Sequence, residues 1–308
     1  MDSSDLIETS IVIPVRDRPD LLVECLRAIG QQSIDFARCE VIVCDDGSQE
    51  NIRGAVQSWV PFFPHFKLVR QRPLGPAAAR NLGIRNSGGE IVVFVDSDVL
   101  PEKEMVRQLV EYLKVNSSWM GAEAALIPCG KGSGPLWDAP VSVEGGRFHT
   151  AAIAYRRGAL VRAGGFDEEF KFPACEDVDL AARVLEQGVI GFVPGAVARH
   201  PRRRITLRTH WRGQRHWKYA AILAARYGFS AFPEKSAGVF PRLRIALSAV
   251  VTFPTGRFLT GLKYMRHSLA EGSLACAFAL FDVLCGLIAL PDILISRIPE
   301  RRTYIESQ

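Results

Sequence analysis

The chain has 308 residues, 48% of them hydrophobic and 23% charged, which suits one large α/β domain or two modest ones and excludes wholesale disorder. Its seven cysteines (Cys25, Cys39, Cys44, Cys129, Cys175, Cys276, Cys285) are scattered and form no Cys-x-x-Cys pair, which argues against a disulfide framework or a thiolate zinc site. The net charge of +5 hides an asymmetry: residues 1–198 hold 20 Lys+Arg against 27 Asp+Glu, and residues 199–308 hold 18 against 6.

The polar, acidic opening Met1-Asp2-Ser3-Ser4-Asp5 is not a signal-peptide pattern, so a cytoplasmic protein is expected. Ser10 to Val15 is a short β-rich apolar run and reads as a buried strand. Pro19 to Gln32 carries apolar residues at helical spacing behind a Pro-Asp start. A second strand, Glu40 to Cys44, closes on Asp45-Asp46-Gly47-Ser48, and Phe66 to Arg70 is a third. Gly75 to Arg85 reads as a helix stopped by Gly88-Gly89, and Glu90 to Val95 is a fourth strand ending in Asp96-Ser97-Asp98. Glu102 to Lys114 is an amphipathic helix. This alternation predicts an α/β fold with a mostly parallel sheet flanked by helices.

The middle is less regular. Gly130 to Pro135 is a loop, a strand is expected near Thr150 to Tyr155, and Gly164-Gly165-Phe166-Asp167 is a turn. Glu176 to Gln187 is a helix, short strands around Phe192 and Val197 lead to His200, and a long basic, aromatic helix is expected from Leu207 to Tyr227.

In an open parallel sheet, ligands bind beyond the carboxyl ends of the strands. Two acidic pairs fall at such ends: Asp45-Asp46, and Asp96 with Asp98. Four carboxylates on one rim repel one another unless a cation sits among them, and a hard divalent ion bridging to a phosphorylated substrate answers that need. The competing reading is that each Asp caps a turn or a helix start. No GxGxxG follows the first strand and no GxxxxGK[ST] occurs, which excludes the usual dinucleotide and P-loop sites.

Taken together, these blocks resemble the family 2 glycosyltransferases of the GT-A fold. They are Ser10 to Arg18, Val41 to Ser48, Gly75 to Ile84 with Gly89 to Asp98, Gly164 to Asp167 with Glu176 to Leu180, and Val193-Pro194 with His200. They cover about two thirds of the chain in the family's order. The resemblance implies transfer of a sugar from a nucleotide diphosphate, UDP being the common base, to an acceptor hydroxyl with inversion. It implies that Pro14, Asp45, Asp46, Arg80 and Asp96 bind the donor, that Asp98 and His200 ligate Mn²⁺ or Mg²⁺, that Asp177 is the catalytic base, and that Glu176 binds the acceptor or orients the site. The chemical need is that the leaving nucleoside diphosphate is an anion. For Glu176 and Asp177 the competing role is to favour a helix dipole; for Arg80, a helix surface; for His200, a surface position among arginines. Gln214-Arg215-His216-Trp217 departs in spacing from the QxxRW motif of processive synthases, which favours transfer of a single sugar.

The C-terminal third says more about partners. Ser273 to Leu290 is the most apolar stretch, with Asp282 its only charge, and is short of the roughly 20 residues a span needs. Leu243 to Leu262 is apolar with Arg244 and Arg257 interspersed and Pro254 as a break. Basic, apolar helices suit an anionic membrane surface better than nucleic acid. The expected division is a catalytic domain over 1–230 and a helical, apolar and basic region over 231–308 at the cytoplasmic face of a membrane, with a glycan or lipid-linked acceptor. Alternatives are a helical subdomain packed on the catalytic domain, a nucleotidyltransferase, and a catalytically inactive sugar-nucleotide-binding membrane scaffold.

Overall fold

The computed structural model describes residues 7–213 and 267–295, with isolated positions between them and Ile305. The chain forms two compact units: residues 1–129, 140–201 and 301–308 make the first, and residues 130–139 and 202–300 the second.

The first unit is built on an eight-stranded sheet. Its elements in chain order are β1 (Thr9–Val15), α1 (Pro19–Ile29), β2 (Cys39–Asp45), α2 (Ile52–Val56), β3 (His65–Arg70), α3 (Pro76–Asn86), β4 (Ile91–Val95), β5 (Leu100–Pro101), α4 (Met105–Val115) and β6 (Trp119–Cys129). After β7 (Trp137–Asp138), which belongs to the second unit, come β8 (Ala152–Arg156), α5 (Arg157–Arg162), α6 (Glu176–Leu185) and β9 (Val189–Pro201). The sheet order is β3-β2-β1-β4-β8-β6-β9-β5. β1 pairs in parallel with β2 and β4, β2 with β3, and β6 with β9; β8 runs antiparallel to β4 and β6, and β5 to β9. The expectation of a mostly parallel sheet flanked by helices holds, and the fold is of the GT-A type.

β1, β2 and β4 have helices on both faces, which is why they read as continuous apolar runs. On one face Ile11, Ile13, Val41, Val43, Val93 and Val95 pack with Leu22, Leu26 and Ile29 of α1. On the other, Val12, Ile42, Val92 and Phe94 meet α3. α3 lies close to the sheet at Gly83, where an added Cβ would stand 2.2 Å from a Val12 methyl.

Two strands depart from the sequence reading. β6 is eleven residues long although Gly121, Ala122, Ala124 and Ala125 are poor strand formers; pairing with β8 and β9 on its two sides overrides propensity. β9 is one strand, not two. Ala124 pairs with Val193 and Ala125 with Val197, so Pro194 and Gly195 sit in an irregularity that the ladder accommodates.

In the second unit β7 pairs with β10 (Arg203–Arg204), and α7 (Leu207–Gly213) is the described start of the expected long helix. α8 (Leu269–Ile295) contains the apolar stretch Ser273 to Leu290. The imidazole of buried His210 lies 4.3 Å from the Phe278 ring and 3.0 Å from Asp282 Oδ1, so the one acid in that stretch has a partner. Leu207, Trp211, Leu274, Phe278 and Phe281 line an apolar recess beside it. Gln214 to Trp217 and most of Leu243 to Leu262 lie outside the described residues. Among the described residues no helix is long and apolar enough to cross a membrane.

Candidate functional site

The carboxyl ends of β1, β2 and β4 form the rim that the topology prepares. β1 and β4 pair only as far as Val12 with Phe94, so the two strands part where β1 continues through half-buried Pro14 to Val15. Order reverses at this point, β2 leaving to one side and β4 to the other, which makes a crevice.

At the end of β2 both acids are buried and engaged. Asp45 Oδ1 accepts the Ser48 amide at 2.8 Å and Oδ2 lies 3.1 Å from the Arg70 guanidinium. Asp46 Oδ1 accepts from the Gln71 side chain and the Leu74 amide, both at 2.8 Å, and Oδ2 from the Gly75 amide at 2.9 Å. Asp46 therefore holds the loop that delivers the start of α3. Gly75 itself sits at φ +107°.

A buried clasp joins three distant stretches. Arg80 of α3 donates to Asp96 Oδ1 and to Glu176 Oε1, both at 2.8 Å, and its guanidinium lies 5.7 Å from the Phe166 ring centre. Arg80 is 3% exposed, so it is not a helix-surface residue. Next to it, Asn81 donates to the Phe166 carbonyl and accepts the Phe166 amide, each at 2.8 Å, which pins the Gly164–Asp167 turn. Within the clasp, Arg80 Nε and Glu176 Oε2 are buried without a partner. Burial, and then the neighbouring Asp177 charge, push the Glu176 carboxyl up to about 7 against the pull of Arg80.

Asp177 is the more open acid at the head of α6, with 17% of its side chain exposed against 4% for Glu176. Its Oδ1 accepts the Val178 amide, and His149 Nδ1 lies 3.6 Å from its Oδ2. Cys175, just before, has φ +70°, a left-handed conformation that turns the chain sharply into the helix.

Asp98 is buried at the end of β4, with His200 Nε2 3.8 Å from Oδ1 and Arg18 3.5 Å from Oδ2. The His200 Nδ1 is 2.9 Å from the Pro201 carbonyl, which only accepts. That nitrogen must carry the proton, so in neutral His200 the Nε2 lone pair faces Asp98. One carboxylate and one imidazole are a donor set that Mn²⁺ takes when phosphate oxygens and water complete its shell, so these residues fit the metal. Among the described residues no three or more His, Cys, Asp or Glu gather into a fuller metal cluster.

The structure thus brings Asp96, Arg80, Glu176 and Asp177 into one connected group, sets Asp98 against His200, and gives Asp45 and Asp46 to neighbouring loops. Sequence reasoning misses Arg18 and His149. Arg18, at φ 59° behind Asp17 at φ 58°, stands in a strained turn before Pro19 that the Asp17–Ser48 contacts hold. Only its place before a helix start marks it. His149 lies in an irregular stretch with no motif around it.

Comparison with known proteins gives a consistent relationship. Residues 10–120 match the family described as Glycosyl transferase family 2. A stretch of 107 residues is 30% identical to glycosyltransferase AglE of Haloferax volcanii, covering 34% of this chain and 35% of that one. Over 235 residues the chain is 26% identical to the probable glycosyltransferase YdaM of Bacillus subtilis, covering 69% of this chain and 55% of the relative. The chain therefore spans between about a third and just over half the length of these two curated relatives. Among solved structures, the mannosyltransferase PcManGT of Pyrobaculum calidifontis in complex with GDP-Man and Mn²⁺ superimposes with a TM-score of 0.58 at 19% identity, covering 94% of this chain and 88% of that one. The Staphylococcus aureus TarS 1–349 complex with UDP gives 0.56 at 15% identity, covering 93% and 90%.

Proposed function

We propose that this protein, whose residues 10–120 match family 2 of the glycosyltransferases, is a metal-dependent inverting glycosyltransferase that moves one sugar from a nucleotide-diphosphate donor to an acceptor hydroxyl. The observation that carries the reading is the Asp96–Arg80–Glu176 clasp. It links the acidic end of β4 to the head of α6, where Asp177 stays open beside it.

In this reading the nucleoside lies along the β1–β4 crevice near Pro14, with Asp45 and Asp46 shaping its wall and Asp96 turned toward the ribose. Asp98 and His200 would hold a divalent ion, Mn²⁺ or Mg²⁺, whose charge offsets that of the departing diphosphate. Arg80, locked between two acids, keeps Asp96 and Glu176 in place and lowers the electrostatic cost of crowding carboxylates. Asp177 Oδ2 takes the proton of the acceptor hydroxyl as the acceptor oxygen bonds to the anomeric carbon. The sugar–phosphate C–O bond breaks on the opposite face, and its electron pair leaves on the diphosphate. Glu176, buried and held by Arg80, orients the site behind Asp177.

The solved relatives carry UDP, UDP-GlcNAc or GDP-Man, which supports a nucleotide-sugar donor, with UDP first among the bases to try. By function we divide the chain into a catalytic region over 1–230 and a helical region over 231–308, a boundary that falls within the second compact unit. The basic surplus after residue 199 and the apolar recess of α7 and α8 support contact with an anionic membrane and a lipid-linked or other glycan acceptor at its cytoplasmic face.

The test is thermal unfolding with UDP, dTDP and GDP, each with and without Mn²⁺, on the wild type and Asp98→Asn. A nucleotide at 100 times its Kd adds about 2.7 kcal/mol to native stability. One nucleotide should raise Tm, only with the metal, and not in Asp98→Asn. Folded protein that responds to none of them sinks the reading.

A further inference from the structure

We propose that His149 is a positioning residue for Asp177: its imidazole steadies the carboxylate oxygen that takes the acceptor's proton. This rests on the transferase reading above.

The chain takes unusual trouble to deliver this imidazole. Glu123 of β6 is 2% exposed, yet its carboxylate faces a loop and not a cation. Oε1 accepts the Ser142 hydroxyl at 2.7 Å, the Phe148 amide at 3.0 Å and the Arg147 amide at 3.2 Å, and Oε2 accepts the Gly146 amide at 2.7 Å. Gly146 to Phe148 therefore hang on one buried acid. Phe148 is then forced to φ +57°, a left-handed conformation that costs a bulky residue energy and that only a well-determined surrounding maintains. On the far side the His149 carbonyl accepts the Ala152 amide at the start of β8. The residue is fixed from both directions.

Its ring then meets Asp177 at the one oxygen left open. Oδ1 of Asp177 accepts the Val178 amide, and Oδ2 faces His149 Nδ1 at 3.6 Å. That is an ion-pair separation, slightly long for a closed hydrogen bond. Catalytic contacts are often long before substrate arrives and tighten with it. Nearly a third of the His149 side chain stays exposed, so the pair lies open to an acceptor. Asp177 from α6, Glu123 from β6 and Arg147 from its own loop are the charged groups that act on the ring. Burial works against its charge and Arg147 opposes it, but Asp177, then Glu123, outweigh both and hold its pKa above the usual value.

The imidazole acts on the acceptor's proton only through Asp177 Oδ2 and takes no proton itself in the step. It acts by holding Oδ2 in line while Oδ1 stays on the helix backbone. An asparagine amide can occupy the place of Nδ1 and donate in the same direction; alanine cannot.

The experiment follows nucleotide release from UDP-GlcNAc and from GDP-Man by the full chain with Mn²⁺, water serving as the acceptor. Against the donor that the wild type turns over, His149→Ala should lose about 10- to 100-fold in kcat with donor KM within about twofold, and His149→Asn should recover most of that loss. Wild-type kcat in His149→Ala, the same loss in both variants, or a donor KM that rises in step with the loss would each overturn the proposal. A second readout is independent of turnover. In ¹³C-histidine NMR, Asp177→Asn should lower the His149 pKa, and an unchanged titration overturns the pairing. If the wild type releases no nucleotide from either donor while that coupling persists, the catalytic use of the pair falls and the pair itself stands; the transferase reading is decided separately by the nucleotide-dependent Tm.

Discussion

Asp177→Asn removes the open acid at the head of α6 and leaves its neighbours in place. In the proposed reaction it should lower kcat by about 10²- to 10⁴-fold with nucleotide affinity unchanged, the range for loss of a general base. Equal turnover in the variant would take the base assignment away from this residue. Glu176 makes a prediction about stability and pH. Its carboxyl sits near 7 in the fold against 4.5 ordinarily, so the folded state binds this proton more tightly than the unfolded chain does. Its contribution is therefore present below about pH 4.5 and lost as pH rises through 7. Urea unfolding of the wild type and Glu176→Gln should show the wild type's stability relative to the variant declining across that window. A flat difference would mean that Arg80 compensates the charge fully. The acids of the site were legible before the fold because each stands just after a strand run or at a helix start, where local sequence marks the position. The jobs of Asp46, Arg80 and His149 were not, because their partners lie on other elements: Gly75 beyond a loop, Glu176 on α6, Asp177 on α6.

At the scale of elements, the approach of α3 to β1 is the sharpest constraint. Gly83→Ala puts a methyl 2.2 Å from Val12 and 3.1 Å from Cys44 Sγ, and both are buried. The helix must lift, with a loss of about 1–3 kcal/mol despite alanine's better helix propensity. Thermal unfolding checks this, and a Tm at or above that of the wild type would show that α3 moves freely. Asn81→Ala strips the Phe166 amide and carbonyl of their partner in a buried turn. It should destabilise by about 1–3 kcal/mol for each group left unpaired, and loosen the turn that feeds α6. Hydrogen exchange at Phe166 is the direct reading; unchanged protection would show that another group takes Asn81's place. Helices α1, α3 and α4 were readable from spacing and from Pro starts, and β1, β2 and β4 from unbroken apolar runs. β6 was not, since its small residues are a strand only in the company of β8 and β9, which arrive later in the chain.

For the whole molecule, the charge division is the feature that asks for a partner. Acidic residues dominate up to residue 198 and basic ones beyond it. If the basic third meets a membrane, the full chain should co-sediment with vesicles containing phosphatidylserine, less well as salt rises, and not with neutral phosphatidylcholine vesicles. Equal recovery with both vesicle types would point to apolar insertion alone, and recovery with neither would end the membrane proposal. The division of the chain into two compact units draws together stretches far apart in sequence. Residues 130–139 look like a loop inside the first unit, yet they cluster with residues 202–300, a long-range association that no local pattern announces.

The Arg80–Asn81 contacts also carry a consequence for synthesis. Chains leave the ribosome amino end first, and domains assemble in that order. Once residue 96 is out, β1 to β4 can pair, and the buried Glu40 already has Ser10, Lys67 and Gly88 to bind it. Arg80 then has Asp96 alone, and Asn81 has nothing to hold until Phe166 is made. For some seventy residues of translation the nascent sheet carries a polar seam on the face where α3 lies. A polypeptide halted in that interval is where a chaperone would find it.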